Sequence, residues 1–175
     1  MGSTFSEKVF TAKAGKEVVA GEIVTLEPDY ILTHDNTAAI LKKLPDMGVL
    51  RLKFPERSVV VLDHVTPAAD SKHAANHQAI RAFVAEQGIK HFFDVGHGIC
   101  HQVMVEERFA YPGRLILGSD SHTPTAGAVG AFAAGIGRTE AAGVWATGEL
   151  WLRCPATMHI DLKGRLRDCA SSKDL

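Results

Sequence analysis

The chain has 175 residues, of which 46% are hydrophobic and 22% charged, with a formal net charge of -1 and nine histidines. That length suffices for one domain with its own core, and the charge balance excludes a global field that would recruit nucleic acid or an anionic membrane. Cys100, Cys154 and Cys169 form neither an even-numbered disulfide framework nor a C-x-x-C pair, so free thiols in a reducing cytoplasm are expected. The longest apolar runs are too short to cross a bilayer.

In chain order, TFSEKVFTAKAGKEV predicts a short amphipathic helix with Phe5, Val9 and Phe10 on one side and Gly15 as its stop. Short strands, a Glu-Pro-Asp turn and the strand YILT follow, then a helix from about Thr37 capped by Asp35 or Asn36. SVVVLDH is a continuous apolar run ending in Asp63 and His64, as suits a strand buried on both faces of a parallel sheet. SKHAANHQAIRAFVAEQG reads as a helix that presents Ala75, Ile80, Phe83 and Val84 to the core and stops at Gly88. HFFDVGHGICHQVMVEE predicts a strand, a glycine turn and a helix, and RLILGSDSH a third strand of the same kind.

The small-residue segment 126–137 and RTEAAGVWATGELW are expected to continue helically, with Phe132, Trp145 and Trp151 as packing aromatics. Alternation at Met158, Ile160 and Leu162 suggests an antiparallel edge strand, and SSKDL the start of a further helix under a Ser171 or Ser172 cap. The alternation of strands and helices is the pattern of a single α/β layered domain over 1–175, with a largely parallel sheet flanked by helices.

Three of these strands end in comparable polar clusters: Asp63 and His64; His97 and His101; Asp120, Ser121 and His122. Ligands of open parallel sheets bind beyond the carboxyl ends of the strands, so the three clusters are expected on one rim. Each has a plainer reading. Asp63 can cap the next turn, His97 and His101 can be a solvated pair on one helical face, and Asp120 with Ser121 suits a β-turn or helix cap. With Cys100 between them, His97 and His101 can also be read as a zinc pair, and hence as part of a zinc-dependent hydrolase. Taken together, the clusters favour a site in which carboxylates fix imidazole tautomers for proton transfer, while Ser121 and Thr123 offer donors to a substrate carboxylate. The small-residue run lacks the lysine of a phosphate-binding loop, and neither G-x-G-x-x-G nor G-x-S-x-G occurs.

GSDSHTPTAGAVGAFAAGIGRTEAAGVWATGELW (118–151), HDNTA (34–38), LDH (62–64) and GICHQVMVEERFAYPG (98–113) resemble the motifs of the aconitase superfamily. The likeness is to the large subunits of its isopropylmalate dehydratase and homoaconitase branch, and it runs through essentially the whole chain. The resemblance implies the aconitase-type amino-terminal α/β domain and a reversible dehydration–rehydration of a hydroxy di- or tricarboxylic acid. The expected substrate is 3-isopropylmalate first and homoaconitate or homocitrate next, in cytoplasmic leucine or related amino-acid biosynthesis.

It further implies Asp63, His64, His101, Asp120 and His122 as catalytic residues and Ser121 as a substrate-carboxylate ligand. A [4Fe–4S] cluster would act on the leaving hydroxyl, but the family's cluster cysteines lie beyond residue 175 and none of the three here matches them. The family's catalytic serine base sits on a swivelling domain, often a separate small subunit, which is the implied partner. Where aconitases carry a substrate-binding glutamine after D-x-T-A, this chain has Ala39, which points away from citrate. The polypeptide is therefore expected to be the amino-terminal portion of a large subunit, inactive alone. The alternative to a catalytic part is a non-catalytic domain that binds a partner subunit or a carboxylate.

Overall fold

A computed structural model describes residues 2–174. Five parallel strands form the central sheet in the order β4-β3-β2-β5-β6: β2 (Tyr30–Thr33), β3 (Ser58–Val61), β4 (His91–Phe93), β5 (Leu115–Gly118) and β6 (Phe132–Gly135). A separate antiparallel pair joins β1 (Ile23–Leu26) to β7 (Leu150–Arg153), in the register Ile23 to Arg153 and Leu26 to Leu150. The helices are α1 (Phe5–Ala14), α2 (Thr37–Leu41), α3 (Ser71–Gln87), α4 (Cys100–Glu106) and α5 (Arg138–Thr147). The α/β class expected from the alternation is the one observed.

The apolar runs explain the layering. All four residues of β3 and all four of β5 are buried, and their side chains divide between two faces with the period of two that a pleated strand imposes. Ile31, Val60, Leu62 and Leu117 pack with Ile40 of α2, Ile80 and Val84 of α3, and Val144 and Trp145 of α5. Leu32, Val59, Val61 and Ile116 pack on the other side with Cys100, Val103 and Met104 of α4, together with Phe109 and Ala126. A third cluster joins Val9 and Phe10 of α1 to Val24, Leu26, Leu115 and Cys154.

From β2 the chain steps through β3 to β4 in one direction, and from β5 to β6 in the other. The adjacent strands β2 and β5 therefore send their connections to opposite sides. Their carboxyl ends form the crevice where open α/β sheets place ligands. Asn36 and Ser119 tie this crevice together: the Asn36 amide donates to the Ser119 carbonyl at 2.8 Å, and the Ser119 hydroxyl donates to Asn36 Oδ1 at 2.8 Å.

Several expectations change. The segment 126–137 is not helical: it holds the end of a 3-10 turn (Thr123–Val129) and then strand β6. Alanine favours helix only weakly, and here the ladder to β5, Leu115 to Phe132 through Gly118 to Gly135, prevails. Small side chains serve close approach instead, since a Cβ at Gly135 would lie 2.8 Å from the Asp120 carbonyl oxygen. The antiparallel strand is β7 rather than the Met158–Leu162 alternation. β7 already occupies the β1 edge, and Met158, Ile160 and Leu162 stand exposed in a tail without strands among the described residues. Ser172–Asp174 form a 3-10 turn, with the Ser171 hydroxyl donating to Asp174 at 3.0 Å; Leu175, the last residue of SSKDL, lies outside the described residues.

Phe5, Ala75 and Trp151 are exposed rather than packed, whereas Val9, Phe10, Ile80 and Val84 are buried and α1 and α3 stop at Gly15 and Gly88 as expected. α2 begins after Asn36 with no side-chain cap, because both candidate caps are engaged elsewhere. Among the described residues no helix is long and apolar enough to cross a membrane.

The loop after β5 depends on close backbone packing at Gly118, where a Cβ would meet the side chain of Thr123, with Cγ2 at 2.8 Å. Gly118→Ala is expected to lower stability by about 1–3 kcal/mol through overpacking. Gly127→Ala, whose Cβ would meet nothing within 4 Å, should stay within about 0.5 kcal/mol. Urea unfolding of both variants checks the pair, and equal midpoints would contradict the packing account.

Candidate functional site

The carboxyl ends of β2, β3 and β5 and the first turn of α4 each deliver one part of a histidine–carboxylate cluster. β5 ends at Gly118, and two residues later Asp120 turns its carboxylate back across the rim. Its Oδ1 accepts from the His122 amide at 2.7 Å and lies 2.8 Å from His101 Nε2, while its Oδ2 lies 3.4 Å from His64 Nε2. β3 continues through Leu62 to Asp63 and His64, whose Nδ1 lies 2.7 Å from Asp63 Oδ1. The other oxygen of Asp63 accepts from the Cys100 amide at 2.7 Å, tying it to the start of α4.

His64 thus has a carboxylate at each ring nitrogen. A neutral imidazole offers one donor and one acceptor, so this arrangement selects the doubly protonated ring. Burial disfavours that charge, but the hydrogen bond and charge of Asp63 and the charge of Asp120 prevail and raise the pKa of His64. Burial likewise opposes ionisation of Asp120; the His122 amide and the His101 ring outweigh it and hold the carboxyl down to about 2.

Five of the six residues singled out from the motifs gather directly: Asp63, His64, His101 and Asp120 form the hydrogen-bonded core, and His122 adds its amide and a ring 3.4 Å from Asp120 Oδ1. The His122 ring is 79% exposed, and Ser121 stands exposed beside it with Oγ 3.3 Å from Nδ1. Both face the open side of the rim.

His97 does not join them. Gly96, with φ of 87°, and Gly98, with φ of 154°, hold it in the turn before α4. It lies off the helical face of His101, tilted against Phe93 at 4.7 Å and 4.0 Å from Glu107. The zinc pair of His97 and His101 is therefore not formed. Among the described residues, the groups close enough to share an ion are His34–Asp35–Asp63–His64 and His101–Asp120–His122. In the first, Asp63 and His64 satisfy one another at 2.7 Å while the buried His34 Nδ1 has no hydrogen-bond partner; in the second, His101 Nε2 meets Asp120 at 2.8 Å.

The cysteines do not fit an iron–sulfur cluster. Cys100 is buried, and burial together with the neighbouring Asp63 pushes its thiol far up, away from the thiolate a metal needs. Cys154 is buried in the α1–β1 cluster and Cys169 stands exposed in the tail. No group of potential ligands among the described residues includes a cysteine.

Three residues of the cluster escaped the sequence reading. His34 is 8% exposed and stacks on His64 with ring centres 3.8 Å apart and planes at 26°. Asp35 accepts the amides of Asp63 and His64, and His77 of α3 meets Asp35 at 2.7 Å. HDNTA carried the signal, but Asp35 reads equally well as a helix cap. His77 sits at i-3 from Ile80 and i-7 from Val84, on the buried stripe of α3, and its position in that stripe was its only mark.

His34 is held neutral. Burial, then the charge on His64, lowers its pKa from 6.5 to about 4, against the attraction of Asp120, Asp63 and Asp35. Between those values the unfolded chain binds a proton that the folded chain does not. The contribution of neutral His34 is complete above about pH 6.5 and is lost as pH falls towards 4, on the order of 3 kcal/mol in all. His64 has the opposite sign: its raised pKa adds stability at low pH that disappears as pH rises through the folded value. Urea midpoints of the wild type are therefore expected to fall more steeply from pH 7 to 4.5 than those of His34→Phe, which keeps a ring over His64 without titrating. Parallel profiles would contradict a neutral, buried His34.

Whole-sequence comparison relates the chain to known proteins. Residues 7–175 match the aconitase family (aconitate hydratase). The chain is 46% identical over 176 residues to the 3-isopropylmalate dehydratase large subunit 1 of Methanopyrus kandleri, covering all of this chain and 42% of that protein. It is 44% identical over 177 residues to the 3-isopropylmalate dehydratase large subunit of Aquifex aeolicus, covering all of this chain and 41% of that protein. With the homoaconitase large subunit of Thermus thermophilus, identity is 42% over 174 residues, covering 99% of this chain and 41% of that one. The chain thus spans about two-fifths of the length of the curated relatives it matches. A match across nearly the whole chain, together with the parallel sheet and its histidine–carboxylate rim, shows that this chain belongs to the aconitase family.

Proposed function

We propose that this chain supplies the proton-handling wall of a hydro-lyase site that dehydrates and rehydrates a hydroxy di- or tricarboxylic acid, with 3-isopropylmalate as first substrate and homoaconitate or homocitrate as second. The observation that carries the reading is the position of His64 between Asp63 and Asp120. Its Nδ1 is tightly held at 2.7 Å, whereas Nε2 faces Asp120 at 3.4 Å, so the Nε2 proton is the one available for transfer.

In the dehydration direction, the substrate hydroxyl takes that proton and leaves as water. The imidazole left behind keeps its Nδ1 proton on Asp63. The proton on the neighbouring carbon goes to a base that this chain does not carry, the serine of a small subunit's swivelling domain. In the reverse direction water returns its proton to Nε2. Asp120, held ionised by the His122 amide and His101, stabilises the ring in its charged form, before the proton leaves and after it returns. Ser121 and the exposed His122 ring offer donors to a substrate carboxylate. A [4Fe–4S] cluster, held by cysteines other than these three, would polarise the departing hydroxyl.

On this reading residues 1–175 form one α/β unit, the amino-terminal part of a cytoplasmic large subunit. Its partners are a small subunit and a carboxylic acid, with no nucleic acid or membrane among them. The relatives' names as large subunits support the first partner.

Two measurements test the proposal. Titration of 2- or 3-isopropylmalate against the histidine ring resonances of the chain is expected to move those of His64, His101 and His122 while leaving His159 in the tail unmoved. Shifts confined to His159, or none at millimolar ligand, would sink the assignment. The second measurement is turnover, followed by absorbance of the unsaturated acid. None is expected from this chain alone or with a small subunit after iron and sulfide treatment, because its cysteines do not converge. Measurable turnover would show that these 175 residues complete a site by themselves.

A further inference from the structure

The Asp63–His64 dipeptide follows the end of β3, where the ladder to β4 closes, and something must fix its backbone if both nitrogens of His64 are to meet carboxylates. Asp35 Oδ2 accepts the amide of Asp63 at 3.1 Å and that of His64 at 2.8 Å. Its other oxygen, Oδ1, lies 2.7 Å from Nε2 of His77, which is 4% exposed. His77 shares the buried stripe of α3 with Ile80 and Val84, where an aliphatic side chain would pack more cheaply. A buried imidazole there is costly unless it is paired, and Asp35 is its partner.

We propose that Asp35 and His77 form a second, buried histidine–carboxylate dyad whose task is to position His64: His77 orients Asp35, and Asp35 clamps the 63–64 backbone. Both are positioning residues, and the proposal rests on reading His64 as the proton carrier. The neighbouring residue completes the hold, since the His34 ring lies flat against His64 at 3.8 Å. His64 is thereby fixed twice by consecutive residues, through its backbone by Asp35 and through its ring by His34. The charge on Asp35 suits the clamp. Burial would raise its carboxyl, but the His64 amide and the His77 ring reverse that and lower it. The charged and titratable groups near the His64 ring are Asp63, Asp120, His34 and Asp35, whose carboxylate lies within 4.8 Å of a ring nitrogen; Asp35→Asn therefore also removes a nearby charge, whereas the His77 variants leave that charge in place and read the positioning alone.

The test uses the 175-residue chain and needs no turnover. In Asp35→Asn the amides of Asp63 and His64 lose a charged acceptor. Their hydrogen exchange is expected to accelerate about 10-fold or more, and the His64 ring to titrate closer to an ordinary histidine as its two carboxylate contacts loosen. His77→Gln retains an amide donor towards Asp35 and should restore both readouts to near wild type, whereas His77→Leu, similar in bulk but without a donor, should reproduce the Asp35→Asn changes. A protein that keeps wild-type amide exchange and the wild-type His64 titration in both Asp35→Asn and His77→Leu would overturn the proposal. So would a His77→Gln variant no better than His77→Leu. Should Asp35→Asn not fold, the contrast between the two His77 variants decides alone. Failure of isopropylmalate to perturb the wild-type His64 resonance would remove the proposed function and leave these exchange and titration results to stand or fall by themselves.

Discussion

The carboxylate of Asp120 is the constraint on which the rim depends. It reaches back from the loop after β5 to a helix residue, His101, to a residue beyond β3, His64, and to an amide of its own turn. These groups are brought by segments far apart in sequence. They meet only because β5 and β2 are adjacent strands with connections running in opposite directions. A part-buried carboxylate so placed must find partners for its charge, or that charge becomes a liability of several kcal/mol. The fold supplies the amide and the rings that make ionisation the favoured state.

Two layers of histidine–carboxylate pairing follow from that geometry. The outer layer, Asp63–His64–Asp120–His101, brings its two rings nearer to solvent than His77. The inner layer, Asp35–His77, has little exposure, and its hydrogen bonds to the outer one go to the backbone amides of Asp63 and His64. The same residue types do different work according to depth. Near water a loosely held Nε2 proton can leave; deeper in, a short bond at 2.7 Å with little exposure fixes a tautomer and a direction. Between the layers, His34 is kept neutral by burial and lends its flat face without adding charge.

Much of the outer layer was legible in the chain. SVVVLDH and RLILGSDSH announce buried parallel strands by their unbroken apolar runs, and a parallel sheet has one chemically active end, so Asp63, His64 and Asp120 follow almost directly. His101 could be placed on that rim, but its separation from His97 could not, because the turn set by Gly96 and Gly98 decides where the helix begins. β6 was hidden for a different reason: FAAG between alanines and glycines carries no β-branched residue and no alternation, and only pairing with β5 makes it a strand. The tail shows the converse. Met158, Ile160 and Leu162 alternate correctly for a strand, but alternation without a free edge to pair with produces none. Asp35 and His77 were invisible as a pair because their 42-residue separation is closed only by α3 packing on the sheet.

β6 lies at the margin of the central sheet, bonded to β5 on one side. Because Gly135 has no side chain to act as a spacer, this outermost strand bears directly on the main chain of Asp120. One of the sheet's two margins and its most exacting carboxylate are mechanically in series. Fraying at a sheet margin costs far less than global unfolding, so the site inherits the softness of the margin rather than the rigidity of the buried strands β2 and β3. Heat or mild denaturant should blur the proton geometry of the rim while the centre of the sheet is still intact.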